Sequence, residues 1–178
     1  MTNDHDYVEG LIHEWMSVHG TGDYASYALV VRLIRAGRIL DSILSGIAKQ
    51  NRLGARGDYE VLAAIRRSGE SGITPTQLAA TAQVTTAGMT GRLDRLEASG
   101  LILRDAHPED RRSIRVKVTP QGEEVADSVF GACLKAADVS VGLLSPEECT
   151  RLSESLSAVL QGLGDVPFTE EVQGQPRV

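Results

Sequence analysis

Apolar positions recur every three or four residues along most of this chain, and only one stretch breaks into alternation. Val8, Leu11, Ile12 and Trp15 share one face of a helix predicted over Tyr7 to Val18, which Gly20 and Gly22 end. From Tyr24 to about Asn51 a longer helix follows. Its stripe of Leu29, Val30, Leu33, Ile34, Leu40, Ile43, Leu44 and Ile47 is wide, which predicts a well-buried helix. Asp58 to Ser68 forms a third, stopped by Gly69 and the turn residues Glu70-Ser71-Gly72.

The punctuation then sharpens. Thr74-Pro75-Thr76-Gln77 supplies a hydroxyl cap, a proline at the first helical position and a glutamine able to close a capping box, opening a short helix through about Thr81. After a tight turn at Gln83-Val84, Thr85 caps another helix, which Gly100 ends. Leu101 to Arg104 and Ser113 to Val118 read as two short strands, the second alternating Ile114, Val116 and Val118 against Arg115 and Lys117. The polar run His107 to Arg112 turns between them. Thr119-Pro120 caps a further helix with Val125, Val129, Cys133 and Ala136 on one stripe. Ser145-Pro146-Glu147-Glu148 is a second capping box, opening a last helix with Leu152, Leu156, Val159 and Leu163. Two helices joined by a short turn and followed by a charged hairpin predict a mainly α fold with a small β wing, a winged helix-turn-helix.

Composition narrows this picture. A chain of 178 residues has room for one compact domain or a small module in a helical frame. We expect N-terminal helices over 1–55, the winged helix-turn-helix over 56–119, C-terminal helices over 120–165 and a disordered tail over 166–178. Aromatics at 4% leave Leu, Ile, Val and Ala to build the core. The formal charge of −6 argues against indiscriminate nucleic-acid binding, yet Thr74 to Val118 carries seven basic residues against five acidic ones. The acidic start of the chain and the lack of a long apolar run predict a cytoplasmic protein without a membrane span. Cys133 and Cys149 are far apart and outside any CxxC pattern, and we expect both to be small buried residues rather than disulfide or zinc partners.

Candidate chemistry lies in the helix after Thr85 and in the hairpin. At about 100° per residue, Met89, Leu93 and Leu96 face inward while Thr86, Thr90, Gly91 and Asp94 face away. That is the demand on a helix that enters the major groove. Threonines reach base edges or phosphates, and Gly88 and Gly91 permit close approach; Thr85 and Arg95 complete the candidate contacts on this helix. In the hairpin, Arg111 and Arg112 sit where a guanidinium enters a minor groove, Arg115 and Lys117 project toward phosphates, and Asp110 can orient an arginine by a bidentate pair. The competing readings are an ordinary solvated surface helix and hairpin, or a winged helix used only for protein contacts. No nucleophile elbow, phosphate-binding glycine loop or metal-spaced cluster of His5, His13, His19 and His107 points to an enzyme, and no cofactor or metal is expected.

Asp110-Arg111-Arg112-Ser113 followed by Val118-Thr119 resembles the wing signature of the MarR family of bacterial transcriptional regulators. TPTQLA, TTAGMTGRLDRLEASGLI and VTPQGE extend the resemblance over most of Arg56 to Glu123. It implies a homodimer whose N- and C-terminal helices interdigitate, carrying two winged helices onto a pseudo-palindromic double-stranded DNA operator, with repression relieved by a small ligand. DYEVLAAIRRSG and MTGRLDRLEASGL most resemble the PecS and urate-responsive branch. That likeness implies a site for a urate-like anion formed by Trp15, Glu60, Arg92 and Arg104. The chain departs from the branch by carrying glutamate at position 60 in place of aspartate, and Glu70-Ser71-Gly72 in place of a Pro-Pro-Tyr turn. A regulator with another ligand or none, and a cysteine-based redox sensor, are the alternatives within the family. Low thiol acidity at Cys133, on an apolar stripe, and at Cys149, after two glutamates, predicts insensitivity to peroxide.

Overall fold

The computed structural model describes residues 6–81, 86–106 and 114–165, and the chain divides into two compact units, 1–43 and 44–178. In the first, helix α1 (Tyr7–His19) is capped by Asp6, whose Oδ1 accepts the Glu9 N–H at 2.9 Å, and ends at Gly20, where φ is +83°. Helix α2 (Ala25–Gln50) begins beside it. Arg32 forks onto the Asp6 carboxylate at 2.7 and 3.1 Å, and the Arg35 guanidinium lies 4.4 Å from the centroid of the Tyr7 ring. Among the described residues of this small unit, Val8 and Ala28 are buried.

The stripe on α2 is present, but its burial is not. Leu29, Val30 and Ile34 are each half exposed in the single chain, as is Ile39. Periodicity reports which face a helix must cover; it does not say which chain covers it.

The second unit is built round helix α3 (Arg56–Arg67), which packs against α4 (Pro75–Thr81), α5 (Thr86–Ala98), strand β2 (Ile114–Val118) and α6 (Pro120–Val141). Val61, Leu62 and Ile65 are fully enclosed, together with Leu78 of α4, Met89, Leu93 and Leu96 of α5, Val116 of β2 and Val129 of α6. Burying side chains of this size stabilises by about 1.5–3 kcal/mol each. Strand β1 (Ile102–Ala106) pairs antiparallel with β2 from Ile102 opposite Val118 to Ala106 opposite Ile114. The strand therefore runs two residues past the expected end at Arg104, because its partner continues to offer ladder groups.

Three of the four caps read from the sequence form, and the fourth, Thr85, lies outside the described residues. The Thr74 N–H and hydroxyl donate to Gln77 Oε1 at 3.0 and 2.9 Å, and the Gln77 N–H donates back to Thr74 Oγ1. Thr119 Oγ1 accepts the Gly122 N–H at 3.0 Å and donates to the Gly100 carbonyl at 2.7 Å, so one hydroxyl caps α6 and closes the end of α5 onto it. Helix α7 (Pro146–Gly162) opens on the Ser145–Glu148 capping box but contains no buried residue. Phe130 and Leu134 of α6, and Leu152 and Leu160 of α7, are also substantially exposed. Cys133 and Cys149 are half-buried rather than enclosed, Cys133 packing against the edge of the core. No single helix among the described residues is long and apolar enough to cross a membrane.

Two outcomes follow from this packing. A Cβ at Gly122 would collide with the Leu101 carbonyl and crowd Val118. Gly122→Ala should therefore destabilise the fold by about 1–3 kcal/mol in a urea melt. Arg32 and the Glu9 N–H hold the Asp6 carboxyl down at about 2 from an ordinary 3.8. Its contribution is present above the unfolded value and is lost as pH falls through about 2. Arg32→Ala should move the Asp6 midpoint back toward 3.8 in an NMR titration.

Candidate nucleic-acid interface

Helix α5 follows α4 after four residues, 82–85, that lie outside the described set. Its inward ridge is the one the spacing predicts: Met89, Leu93 and Leu96 are each at most 2% exposed. Gly88, Thr90 and Asp94 face solvent, and Gly91 is half-buried. Packing on α3 thus turns Gly88, Thr90 and Asp94 of α5 to its other, polar face, with strand β1 beside the helix.

Three cations fix this helix. Arg95 forks onto Asp58 of α3, Nη2 donating to Oδ1 at 2.7 Å and Nε to Oδ2 at 3.2 Å, and Asp58 is 2% exposed. Asp58 lies in the first turn of α3, where the helix dipole favours a carboxylate. The pair raises the Arg95 pKa further above its already high value. Arg92 Nη1 donates to the Gly57 carbonyl at 3.2 Å, and a Cβ at Gly57 would overlap the Arg92 guanidinium, so this close approach depends on glycine. From the hairpin side, Arg104 of β1 reaches Asp94 at 2.6 Å and Glu97 at 3.3 Å, tying the wing to α5.

The hairpin is anchored at its base. Arg115 Nη1 donates to the Ser71 carbonyl at 2.5 Å and approaches that of Gly72, while Ile73 and Val116 exchange backbone hydrogen bonds at 3.0 and 2.9 Å. Gly72 has φ +66°, and a Cβ there would press on the Val116 carbonyl. Lys117 pairs with Asp105 across the strands at 3.5 Å. Thr85, Asp110, Arg111 and Arg112 lie outside the described residues, and only the backbone of Thr86 is described.

Of the four residues matched to an anion site, Arg92 and Arg104 each engage a partner beside or on α5. Glu60 pairs with Arg56 one turn away at 2.7 Å. Trp15 belongs to the first unit, where its ring stacks on His19 with centroids 5.2 Å apart. The anchoring Asp58–Arg95 pair escaped the sequence reading. An acid in a first helical turn signals only a favourable dipole contact, and nothing local says that an arginine 37 residues on will reach it.

Two helices separated by four residues and followed by an antiparallel strand pair, in this order on one core, define a winged helix-turn-helix. The sequence model of the MarR family matches residues 56–114. The HTH-type transcriptional regulator PecS of Dickeya dadantii is 27% identical over 153 residues, covering 85% of this chain and 92% of PecS. An uncharacterized HTH-type transcriptional regulator of Bacillus subtilis, YkoM, is 30% identical over 106 residues, or 49% of this chain and 68% of that one. Among solved structures, a mutant MarR from E. coli complexed with operator DNA is similar with a TM-score of 0.64 and 24% identity, over 79% of this chain and 99% of that one. The chain belongs to the MarR family, whose members are transcriptional regulators and not enzymes.

Burial pushes the Cys133 thiol up, with the Arg56 charge opposing it. The thiol should stay protonated at neutral pH, and alkylation by iodoacetamide at pH 8 should be slower at Cys133 than at the thiol of an unstructured peptide.

Proposed function

We propose that this chain is a DNA-binding transcriptional repressor that acts in the cytoplasm as a homodimer on a pseudo-palindromic operator and is released by a small anion resembling urate. The observation that carries the DNA-binding part is the geometry of α5, whose apolar ridge is buried while Gly88 and Thr90 are solvent-exposed on the other face. Thr85, Thr86, Thr90, Gly88 and Gly91 would meet the major groove. Arg111 and Arg112, with Asp110 orienting one of them, would meet the adjacent minor groove. The likeness to a mutant MarR complexed with operator DNA supports the DNA-binding part of this reading. The dimer is supported by the half-exposed apolar side chains of α2, α6 and α7, which a second copy would cover.

The ligand part is carried by Arg92 and Arg104. Both hold α5 through contacts an anion would compete for, Arg92 with the Gly57 carbonyl and Arg104 with two carboxylates. An anion taking either guanidinium would loosen α5 and lower DNA affinity by its differential contacts in the two states. Those same internal partners favour a second reading, a regulator indifferent to urate, because Arg104 is already paired with two carboxylates and Arg92 already donates to a carbonyl.

One gel-shift series at a fixed, stated salt concentration separates these readings. The protein is titrated against the duplex upstream of its own gene and against random duplex, with and without urate. Preference for the promoter duplex that is lost with urate is the expected result, and in Arg92→Ala, which removes the α5 contact and the anion's partner together, binding should be weaker than wild type and should no longer respond to urate. Preference that ignores urate leaves the repressor and removes the ligand. No preference at all makes the wing a protein-contact module.

A further inference from the structure

We infer that Asp58 and Arg95 form a positioning clasp that sets the orientation of α5, so that specific DNA recognition depends on a buried carboxylate that never touches DNA. The inference rests on the DNA-binding reading above and deepens it.

The apolar ridge of α5 cannot do this alone. Burial of Met89, Leu93 and Leu96 is non-directional and tolerates small rotations and slides of the helix. The Arg95 fork is different, because two parallel hydrogen bonds to two carboxylate oxygens fix a plane and a direction. Asp58 is itself immobilised: it is 2% exposed, sits in the first turn of α3, and is roofed by Gly54, where a Cβ would lie 2.9 Å from Oδ2. Arg92, three residues before Arg95, adds its own bond to the Gly57 carbonyl one residue from Asp58. The start of α3 therefore grips α5 at two points on the flank between its apolar ridge and its open face.

A buried carboxylate is a poor choice for stability alone, since an apolar pair of the same volume often stabilises more. Its distinct property is direction. The Arg95 side chain is 55% exposed, so a second role, a direct phosphate contact, is open to it and must be separated from the clasp.

The separation uses Asp58→Asn, Arg95→Gln, their double variant and Arg95→Lys, all in the full chain. The probes are a duplex selected by the wild-type protein from a random pool and a random duplex of equal length. The clasp predicts that each single variant loses about tenfold or more in affinity for the selected duplex. Affinity for random DNA, and the slope of log affinity against log salt, should stay as in wild type. The double variant should be no worse than either single one, as a shared interaction requires. Arg95→Lys keeps the charge but loses the fork, and guards against variants that fail to fold: the clasp predicts loss of specificity with the slope retained. A direct phosphate contact predicts instead that Arg95→Lys is neutral, that Asp58→Asn is neutral, and that Arg95→Gln flattens the salt slope by about 0.9; that result overturns the clasp. Lower melting temperature with an unchanged ratio of selected to random affinity also overturns it, leaving the pair a structural strut. If the wild type selects no duplex at all, the DNA-binding reading itself falls, and the clasp with it.

Discussion

The second unit depends on a single packed surface, the face of α3 that carries Val61, Leu62 and Ile65. Each is completely enclosed, and α4, α5, α6 and β2 all lean on that helix. Removing Ile65 down to alanine in such a setting costs about 2–5 kcal/mol, a large share of the stability of a small domain. The polar face of α5 is a by-product of this burial. Once Met89, Leu93 and Leu96 must point at α3, the residues half a turn away have no choice but to point out.

Apolar packing and polar contacts divide the remaining work. The core decides which elements meet, while directional groups decide how they meet: Arg95 on Asp58, Arg92 on the Gly57 carbonyl, Arg104 on Asp94 and Glu97, and Arg115 on the Ser71 carbonyl. Several of the basic residues that give the Thr74 to Val118 segment its positive surplus therefore have acceptors inside the protein. Counting arginines in a segment overstates the charge available to a polyanion. The side chains that hold the reading helix and those that would touch DNA are partly the same chemical type, and only their partners tell them apart.

Caps and periodicity made most of the fold legible. Thr74 with Gln77, Thr119 before Pro120, and Ser145 with Glu148 are local signals, complete within four residues, and each opens a helix where expected. The recognition-helix ridge was equally local. What could not be read was anything whose second half lies far along the chain. Asp58 and Arg95 are 37 residues apart, and α2 lacks its expected burial because an apolar stripe does not say what will cover it.

The overall charge of −6 makes geometry, rather than attraction, the deciding term for a regulator of this design. Nonspecific affinity grows with the number of phosphates neutralised, and a chain that is acidic outside its winged helix gains little of it. Discrimination must then come from side chains placed within hydrogen-bond reach of base edges, where each good contact separates right from wrong by about 1–3 kcal/mol. Such contacts fail when a helix turns by a few degrees. A protein with weak long-range attraction therefore has more to gain from a rigidly oriented reading helix than a strongly basic one has, and directional anchoring of α5 by buried and half-buried ion pairs fits that requirement better than a larger apolar core would.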